Sequence, residues 1–452
     1  MKVKKNTWWK KYINGFREGD ISVRLSYLIM GFANLRNGQI IKGLIFLLAE
    51  IGFIAYMVMA GASSIVGLIT LGTQAQGWVM DESLGIKVQV EGDNSMLCMI
   101  YGLATIMIIA LFLVFYVVNT RSAAAVYECR KSGEHIRSFR EDAALLLDSR
   151  FHVTLLTVPT AAVLVFTVLP LLYMILLAFT SYDHNHLPPK NLFDWIGLSN
   201  FGKMLGGNIA GTFFPLLVWT LIWAFFATFS SFLGGVVLAL LINKKGIKFK
   251  KFFRTIFVTT VAVPQFVSLL IMRNMLHAAG PINSMLENLG LISDPLPFLT
   301  DALAAKITVI AVNMWVGIPF TIMIVTSVLT NLPEDQLEAA RIDGANAFQI
   351  FRKITLPQII FIMTPTLIQQ FIGNINNFNV IYLLTGGAPM NSNYYAAGDT
   401  DLLVTWLYKL TVEKADYNLA STIGIITFVV CAVFSLIAYT RSAAYNKEDM
   451  FQ

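Results

Sequence analysis

Long apolar stretches alternate with short polar ones along the whole chain. Eight of the apolar stretches contain almost no charged residue: 40–60, 97–118, 151–178, 213–242, 253–275, 305–329, 357–384 and 419–440. A helix needs about 20 such residues to cross a hydrocarbon core of about 30 Å. The pattern therefore predicts an all-α polytopic membrane protein with eight transmembrane helices.

Composition agrees with this prediction and excludes several classes of protein. The chain has 452 residues, of which 56% are hydrophobic and 13% charged, whereas soluble domains carry about 25% charged residues. Its mean hydropathy is +0.65. The cysteines Cys98, Cys129 and Cys431 have no spacing typical of a disulfide framework or a metal site. His184 and His186 are interpreted as solvated loop residues, so no metal site is predicted.

The net charge of +6 reflects topology rather than nucleic-acid binding. Of the 33 basic residues, 26 fall in alternate polar segments, which lie on one side of the membrane: 1–42, 119–150, 243–254, 330–356 and 441–452. Lys and Arg concentrate on the cytoplasmic side of membrane proteins. This predicts a multi-pass protein of the plasma or inner membrane, surrounded by lipid, with a cytoplasmic arm (1–39) and a cytoplasmic tail (441–452).

No catalytic motif stands out. The chain has no Gly-rich phosphate loop, no His-Glu-x-x-His motif and no nucleophile elbow. A membrane-embedded enzyme would need a cluster of catalytic residues, and an ion-coupled transporter would need carboxylates in its core. Neither is visible, so the chain is predicted to be a non-enzymatic subunit without a cofactor of its own.

The polar segment 331–357 has the pattern of two short helices joined by a turn. Pro333 suits a first helical position, and Gly344 fits the left-handed residue that ends a helix. A second amphipathic helix is predicted from about Ala345 to the residue before Pro357. Such a pair of helices could bind another protein.

This segment resembles the coupling motif of ABC-importer permeases, Glu-Ala-Ala-x₃-Gly-x₉-Ile-x-Leu-Pro. The fixed positions of the motif are all matched, by Glu338, Ala339, Ala340, Gly344, Ile354, Leu356 and Pro357. The resemblance implies that the segment sits in a cleft of an ATPase subunit and transmits its closure to the membrane helices. An incidental amphipathic connector is the alternative interpretation.

From roughly residue 151 onward the chain resembles the larger, MalF-type permease subunit of maltose and maltodextrin importers. The matching stretches are Ala262-Val263-Pro264, Trp315-Val-Gly-Ile-Pro319, Asn376-Asn377-Phe378 and Asp401-Leu-Leu-Val404. The resemblance implies a six-helix permease core (151–440) that includes the coupling loop (331–357). Two additional helices and a cytoplasmic linker (40–150) precede it. The large extracellular domain of the Gram-negative form has no counterpart here.

Polar residues inside the apolar segments mark a candidate substrate path. Gln265 and Gln370 each lie 13 residues, or about 20 Å, along their segments, which is near the midplane. Gln370, Gly373, Asn374 and Asn377 share one helical stripe. Uncharged amides there suit a neutral, polyhydroxylated ligand, but Asn and Gln also commonly hold helices together. The residues alone leave both interpretations open.

The resemblance implies an ATP-driven importer of oligosaccharides, most closely of maltodextrin. The family's sugar-contacting positions correspond to Val261, Gln265, Val316, Gly317, Phe320, Gln370, Gly373, Asn374 and Asn377. The implied partners are a second permease, two ATPase subunits that bind ATP and magnesium, and an extracellular solute-binding protein. Another oligosaccharide or glycerol phosphate is an alternative substrate, and an ion-coupled transporter is a more distant alternative. Glu50 lies outside this core, and a buried or interface role is expected for it.

Overall fold

A computed structural model describes residues 16, 17, 19–81, 85–244 and 246–441, without the side chain of Val258. The predicted tail after Arg441, and residues 1–15 and 18 of the predicted arm, lie outside the described residues. The chain forms two compact units, residues 1–195 and 196–452.

In its described residues, the first unit contains three long helices, several short ones and one β-hairpin. Its elements are α1 (Ile21–Leu25), α2 (Phe32–Arg36), α3 (Ile40–Thr70), β1 (Gly77–Asp81), β2 (Ile86–Val90), α4 (Ser95–Ser132), α5 (Phe139–Leu147) and α6 (Phe151–Leu177). The sequence predicts the first span to about residue 60, followed by a break at residues 61–64 and a weaker apolar continuation through residues 65–71. Instead, α3 continues through a π-helical turn at Met57–Gly61, which accommodates the small residues without ending the helix.

The second unit is almost entirely helical in the part that the structure describes. Its elements are α7 (Ser199–Gly206), α8 (Ala210–Asn243), α9 (Lys250–Ala262), α10 (Gln265–Met275), α11 (Pro281–Asn288), α12 (Ala302–Thr330), α13 (Glu334–Ile342), α14 (Ala347–Ile375), α15 (Phe378–Leu384), α16 (Leu403–Val412) and α17 (Tyr417–Thr440).

Seven helices among the described residues are long and apolar enough to cross a membrane: α3, α4, α6, α8, α12, α14 and α17. Helices α9 and α10 qualify together, but the chain bends by 94° between them. Counting this bent pair as one span gives eight, in agreement with the sequence. Pro264 explains the bend, because proline cannot donate the backbone hydrogen bond that would continue the helix.

Close packing of α8 against α12 holds the second unit together. Gly235 of α8 lies directly against the Thr321 side chain, and a Cβ at Gly317 of α12 would lie 2.8 Å from the Cβ of Ser231. Small residues at these positions let two helix backbones approach closely, as is common in membranes. Trp223 and Val309 are fully buried in the core beside this contact.

The segment before the seventh predicted span differs from the expectation at Pro357. The second short helix does not end before this proline but runs without interruption into the span, so that α14 covers both. A π-helical turn at Phe351–Thr355 precedes the proline. The wider turn moves the preceding carbonyl groups away from the proline ring, which removes the usual clash.

A buried ion pair fixes the loop between α15 and α16. Lys409 Nζ lies 2.6 Å from Asp401 Oδ2, and the two side chains are only 6% and 0% exposed. The Gly398 amide also donates to Asp401 Oδ2, at 2.7 Å. Burial raises the pKa of the Asp401 carboxyl, and the positive charge of Lys409 opposes that rise.

Candidate translocation site and coupling loop

Two interrupted spans of the second unit meet at their interruptions. The first interruption is the bend at Pro264, and the second is the short gap between α14 and α15, at Asn376 and Asn377. Helix α10 packs against α15, and Asn379 Nδ2 donates to Gln265 Oε1 across this contact at 3.3 Å. Interrupted helices within a membrane are tolerated where they line a cavity or are buried in protein.

A cavity of about 400 Å³ opens where these interruptions meet α8 and α12. It is lined by Ala227, Ser231, Gln265, Asn313, Val316, Gly317, Phe320, Gln370, Gly373, Asn374, Asn376, Asn377, Phe378 and Asn379. All predicted contact residues except Val261 are in this set. Val261 lies on α9 before the bend, with its side chain 53% exposed, and its contact with sugar stays a prediction. None of the lining residues is charged.

Two of the predicted amides form hydrogen bonds between helices. Asn374 Nδ2 donates to Thr228 Oγ1 at 3.0 Å, and Asn377 Nδ2 donates to Asn313 Oδ1 at 3.3 Å. Asn377 also donates to Asn374 Oδ1 at 3.2 Å and accepts from the Val380 amide. These side chains therefore hold helices together and line the cavity, so the two interpretations left open by the sequence apply to the same residues.

Other polar groups of the cavity have hydrogen-bonding capacity to spare. Within the described part of the chain, Gln370 makes no side-chain hydrogen bond, and Gln265 uses only its oxygen. Ser231 is 3% exposed, and its buried hydroxyl has no partner among the described residues. An unpaired buried hydroxyl costs free energy unless a ligand or water satisfies it. The cavity thus offers a ligand the whole side-chain amide of Gln370, the amide N–H₂ of Gln265 and the hydroxyl of Ser231.

Several lining residues escaped the prediction from sequence, chiefly Ser231, Asn313 and Asn379. Asn313 lies one helical turn before Gly317 in an otherwise apolar segment, a signal that was available. Ser231 lies shortly before the glycine pair of α8, Gly234 and Gly235, where a serine is equally consistent with simple helix packing. Only the arrangement of α8 against α12 brings it to the cavity.

The predicted coupling loop has the two-helix form expected from its sequence. Helix α13 begins at Glu334, one residue later than predicted from Pro333, and ends before Gly344, which has φ +79°. The predicted left-handed turn is confirmed. Asn346 then caps α14 through a reciprocal pair of hydrogen bonds with Gln349, the capping-box arrangement.

The motif residues spread over the exposed side of this loop and its junction with the span. Glu338, Ala339, Gly344 and Pro357 are exposed, and Ala340, Ile354 and Leu356 are half-buried. Ile342 and Phe348 are 86% and 67% exposed. These two exposed apolar side chains offer an apolar surface at which another protein could bind. Gln358 Nε2 donates to Gln336 Oε1 at 3.1 Å and ties α13 to α14.

Comparison with known proteins identifies the family. Residues 231–444 match the family of binding-protein-dependent transport system inner membrane components. The galactooligosaccharide permease GanP of Bacillus subtilis (strain 168) is 34% identical over 93% of this chain and 97% of its own length. The maltodextrin permease MalC of Streptococcus pneumoniae (strain TIGR4) is 32% identical over 97% of this chain and 100% of its own length. The chain belongs to this family of ABC-importer permeases.

The fold of the permease agrees with this assignment. A chain of a bacterial alginate ABC transporter, solved in complex with an alginate-bound periplasmic protein, superposes with a TM-score of 0.54 at 23% identity. The superposition covers 66% of this permease and 96% of that chain. Permeases of this family are multi-pass, non-catalytic membrane components, so the prediction that the chain is not an enzyme is confirmed.

Proposed function

We propose that this permease forms half of the translocation path of an ATP-driven importer of oligosaccharides, and that maltodextrins are its substrate. The observation that carries the proposal is the uncharged cavity at the meeting point of two interrupted spans. Maltodextrin permeases are among its full-length relatives, and this supports the substrate assignment.

The chemistry of the cavity favours a neutral sugar. Amide and hydroxyl groups donate to and accept from sugar hydroxyls, while Phe320 adds an aromatic surface, 46% exposed. An anionic solute such as glycerol phosphate would call for a cationic partner, which the lining lacks. A carboxylate for ion coupling is likewise missing from the lining. These features favour an oligosaccharide over the alternative substrates and over a secondary transporter.

A galactooligosaccharide is the second candidate substrate. GanP is as similar to this permease as the maltodextrin relatives are. Val261 and Gly373 occupy positions where the maltose family, by resemblance, has aromatic residues, so sugar stacking against rings is reduced here. Competition between maltotetraose and galactotetraose for uptake decides between the two substrates.

The proposed assembly follows from the coupling loop and the charge distribution. A second permease completes the path, and two ATPase subunits bind ATP and magnesium. One of them receives the exposed apolar surface around Ile342 and Phe348. A solute-binding protein delivers sugar from outside. The excess of basic residues in alternate segments supports a cytoplasmic position for the coupling loop and for both termini.

The substitution Gln370→Leu tests the sugar site. Loss of its free amide should reduce the efficiency of maltotetraose uptake about fivefold to thirtyfold, the equivalent of about 1–2 kcal/mol. Gln369→Leu is the matched control, because Gln369 is an exposed neighbour of the same type that does not line the cavity. Both variants are assayed in the reconstituted importer. Equal uptake by the two variants would exclude Gln370 from the sugar path.

A further inference from the structure

The N-terminal segment 20–37, the N-terminal hairpin, is folded against the first two spans. Its helices α1 and α2 both pack against α4, and α2 also packs against α3. Val23 and Ala33 are buried against Ala123. Because this segment was predicted to be a cytoplasmic arm, its attachment to two membrane helices calls for an explanation.

Side chains of both spans bind the backbone at the tip of the N-terminal hairpin. Glu50 Oε2 of α3 accepts from the Met30 amide at 2.8 Å. Asn119 of α4 accepts from the Gly31 amide at 2.8 Å and donates to the Ser26 carbonyl at 2.9 Å.

The conformation of Gly31 lets the tip approach α3 closely. Its φ is +79°, and a Cβ there would collide with the Gly43 carbonyl of α3. The tip is therefore in backbone contact with one span and hydrogen-bonded to both.

The two spans independently place the tip below the polar boundary of the membrane. Glu50 lies eight residues, or about 12 Å, along α3 from Lys42, which forms an ion pair with Asp142 at 2.7 Å. Tyr116, whose hydroxyl donates to the Tyr27 carbonyl, lies five residues, or about 7 Å, along α4 from Arg121. Charged residues mark the boundary on each helix. Glu50 and Tyr116, which bind the tip, lie well inside it, and Gly43, which Gly31 contacts, lies just inside Lys42.

The backbone N–H groups of the tip all have partners, as an apolar environment demands of buried donors. Every backbone N–H from residue 26 to residue 33 donates a hydrogen bond. Non-helical backbone survives at membrane depth only when its polar groups find partners in the protein. Two apolar side chains of the tip are exposed: Leu28 is 74% exposed and Ile29 is 40% exposed. Leu44 and Leu48 of α3 are exposed as well.

We infer that the N-terminal hairpin is a re-entrant element seated in the cytoplasmic leaflet, whose exposed apolar side chains contact lipid acyl chains and whose tip is tethered by Glu50 and Asn119. The choice of the cytoplasmic leaflet rests on the orientation proposed above. The depth of the tip rests only on its contacts with α3 and α4. The acyl chains are chosen as the partner because the tip lies at the depth of lipid-facing positions of α3. This gives Glu50 a role as an acceptor for a backbone amide.

Collision experiments on spin labels test the depth of the tip. In the reconstituted importer, with Cys98, Cys129 and Cys431 replaced, a label is attached at Leu28→Cys. Leu48→Cys is the lipid-facing control and Glu134→Cys is the control beyond the end of α4. We expect the ratio of oxygen to nickel-chelate collisions at position 28 to approach the ratio at position 48 and to exceed the ratio at position 134 several-fold.

Two outcomes would overturn the lipid contact. A ratio equal to that at position 134 would place the tip in water, and low collision rates with both reagents would mean that protein covers it. An error in orientation is detected separately, because an impermeant maleimide would then label position 134 from the opposite side without changing the depth ratio.

The tether is tested by two substitutions of Glu50. Glu50→Leu removes the acceptor for the Met30 amide and should raise the mobile fraction of the label at position 28 about tenfold, the equivalent of about 1.4 kcal/mol. Glu50→Gln keeps an acceptor oxygen and should resemble the wild type. A mobile fraction unchanged in Glu50→Leu would refute the tether.

Discussion

The substitution Gly344→Val perturbs the turn of the coupling loop without touching any neighbour. Gly344 has φ +79°, and among the described residues no atom beyond the adjacent residues lies within 4 Å of where a Cβ would be. The Cβ of valine therefore has room, and the expected effect of the substitution is on the backbone conformation of the turn. The turn is closed by hydrogen bonds from Gly344 to the Arg341 carbonyl and from Ala345 to the Ala340 carbonyl.

The magnitude follows from the left-handed conformation. A residue with a Cβ costs about 1–2 kcal/mol there, and a β-branched residue lies at the upper end of that range. If the ATPase binds only the loop with this turn, the binding-competent fraction falls about fivefold to thirtyfold. Asparagine occupies the left-handed region far more readily than valine, so Gly344→Asn is the matched control.

Three measurements on the reconstituted importer decide the outcome: sugar uptake, sugar-stimulated ATPase activity and co-purification of the ATPase subunits. We expect Gly344→Val to lose most uptake and to retain less ATPase subunit, while Gly344→Asn stays close to the wild type. Wild-type behaviour of the valine variant would refute a coupling role for the turn. Equal impairment of both variants would show that side-chain bulk, rather than backbone conformation, is what the ATPase rejects.

The remaining predictions concern stability and topology. Lys409→Met leaves the buried Asp401 carboxylate without a counter-charge and should destabilise the complex by about 3–5 kcal/mol. Adding Asp401→Asn should restore most of the lost melting temperature. A melting temperature unchanged by Lys409→Met would refute the role of the pair. A cysteine at Ser132 should react with an impermeant maleimide only from the cytoplasm, and a cysteine at Asn191 only from outside. The reverse pattern would invert the proposed topology.

Hydrophobicity predicts the spans because a membrane helix needs little beyond a run of about 20 apolar residues. The fifth and seventh spans are predicted as continuous, but the structure interrupts them at Pro264 and at Asn376 and Asn377. Two further errors occur where local chemistry points to a break that the structure absorbs. Glycine and serine after residue 60, and Pro357, both suggest helix ends, yet π-helical turns at Met57–Gly61 and Phe351–Thr355 carry the helices onward. Such turns depend on tertiary packing, which one segment of sequence does not reveal.

The sequence predicts several polar residues of the candidate site, but not which of them are already hydrogen-bonded to other helices. Interior amides such as Gln370 are visible as polar residues in an apolar segment, and their helical stripe follows from periodicity. Which of them are already paired depends on distant partners. Thr228 accepts a hydrogen bond from Asn374, and Asn313 accepts one from Asn377. No pattern in the sequence distinguishes these paired amides from the free amide of Gln370.

This division between paired and free amides determines how transport defects must be interpreted. Asn377 caps α15 through the Val380 amide and also holds Asn313 and Asn374.

Asn377→Ala therefore removes a helix cap, which costs about 1 kcal/mol, together with two hydrogen bonds between side chains. We expect it to lower both the melting temperature of the importer and its uptake, whereas Gln370→Leu should lower uptake alone. Thermal unfolding of the two purified variants in parallel with uptake separates these effects. If Asn377→Ala lost transport with an unchanged melting temperature, the asparagine would act on the sugar directly, and its hydrogen bonds between helices would be incidental.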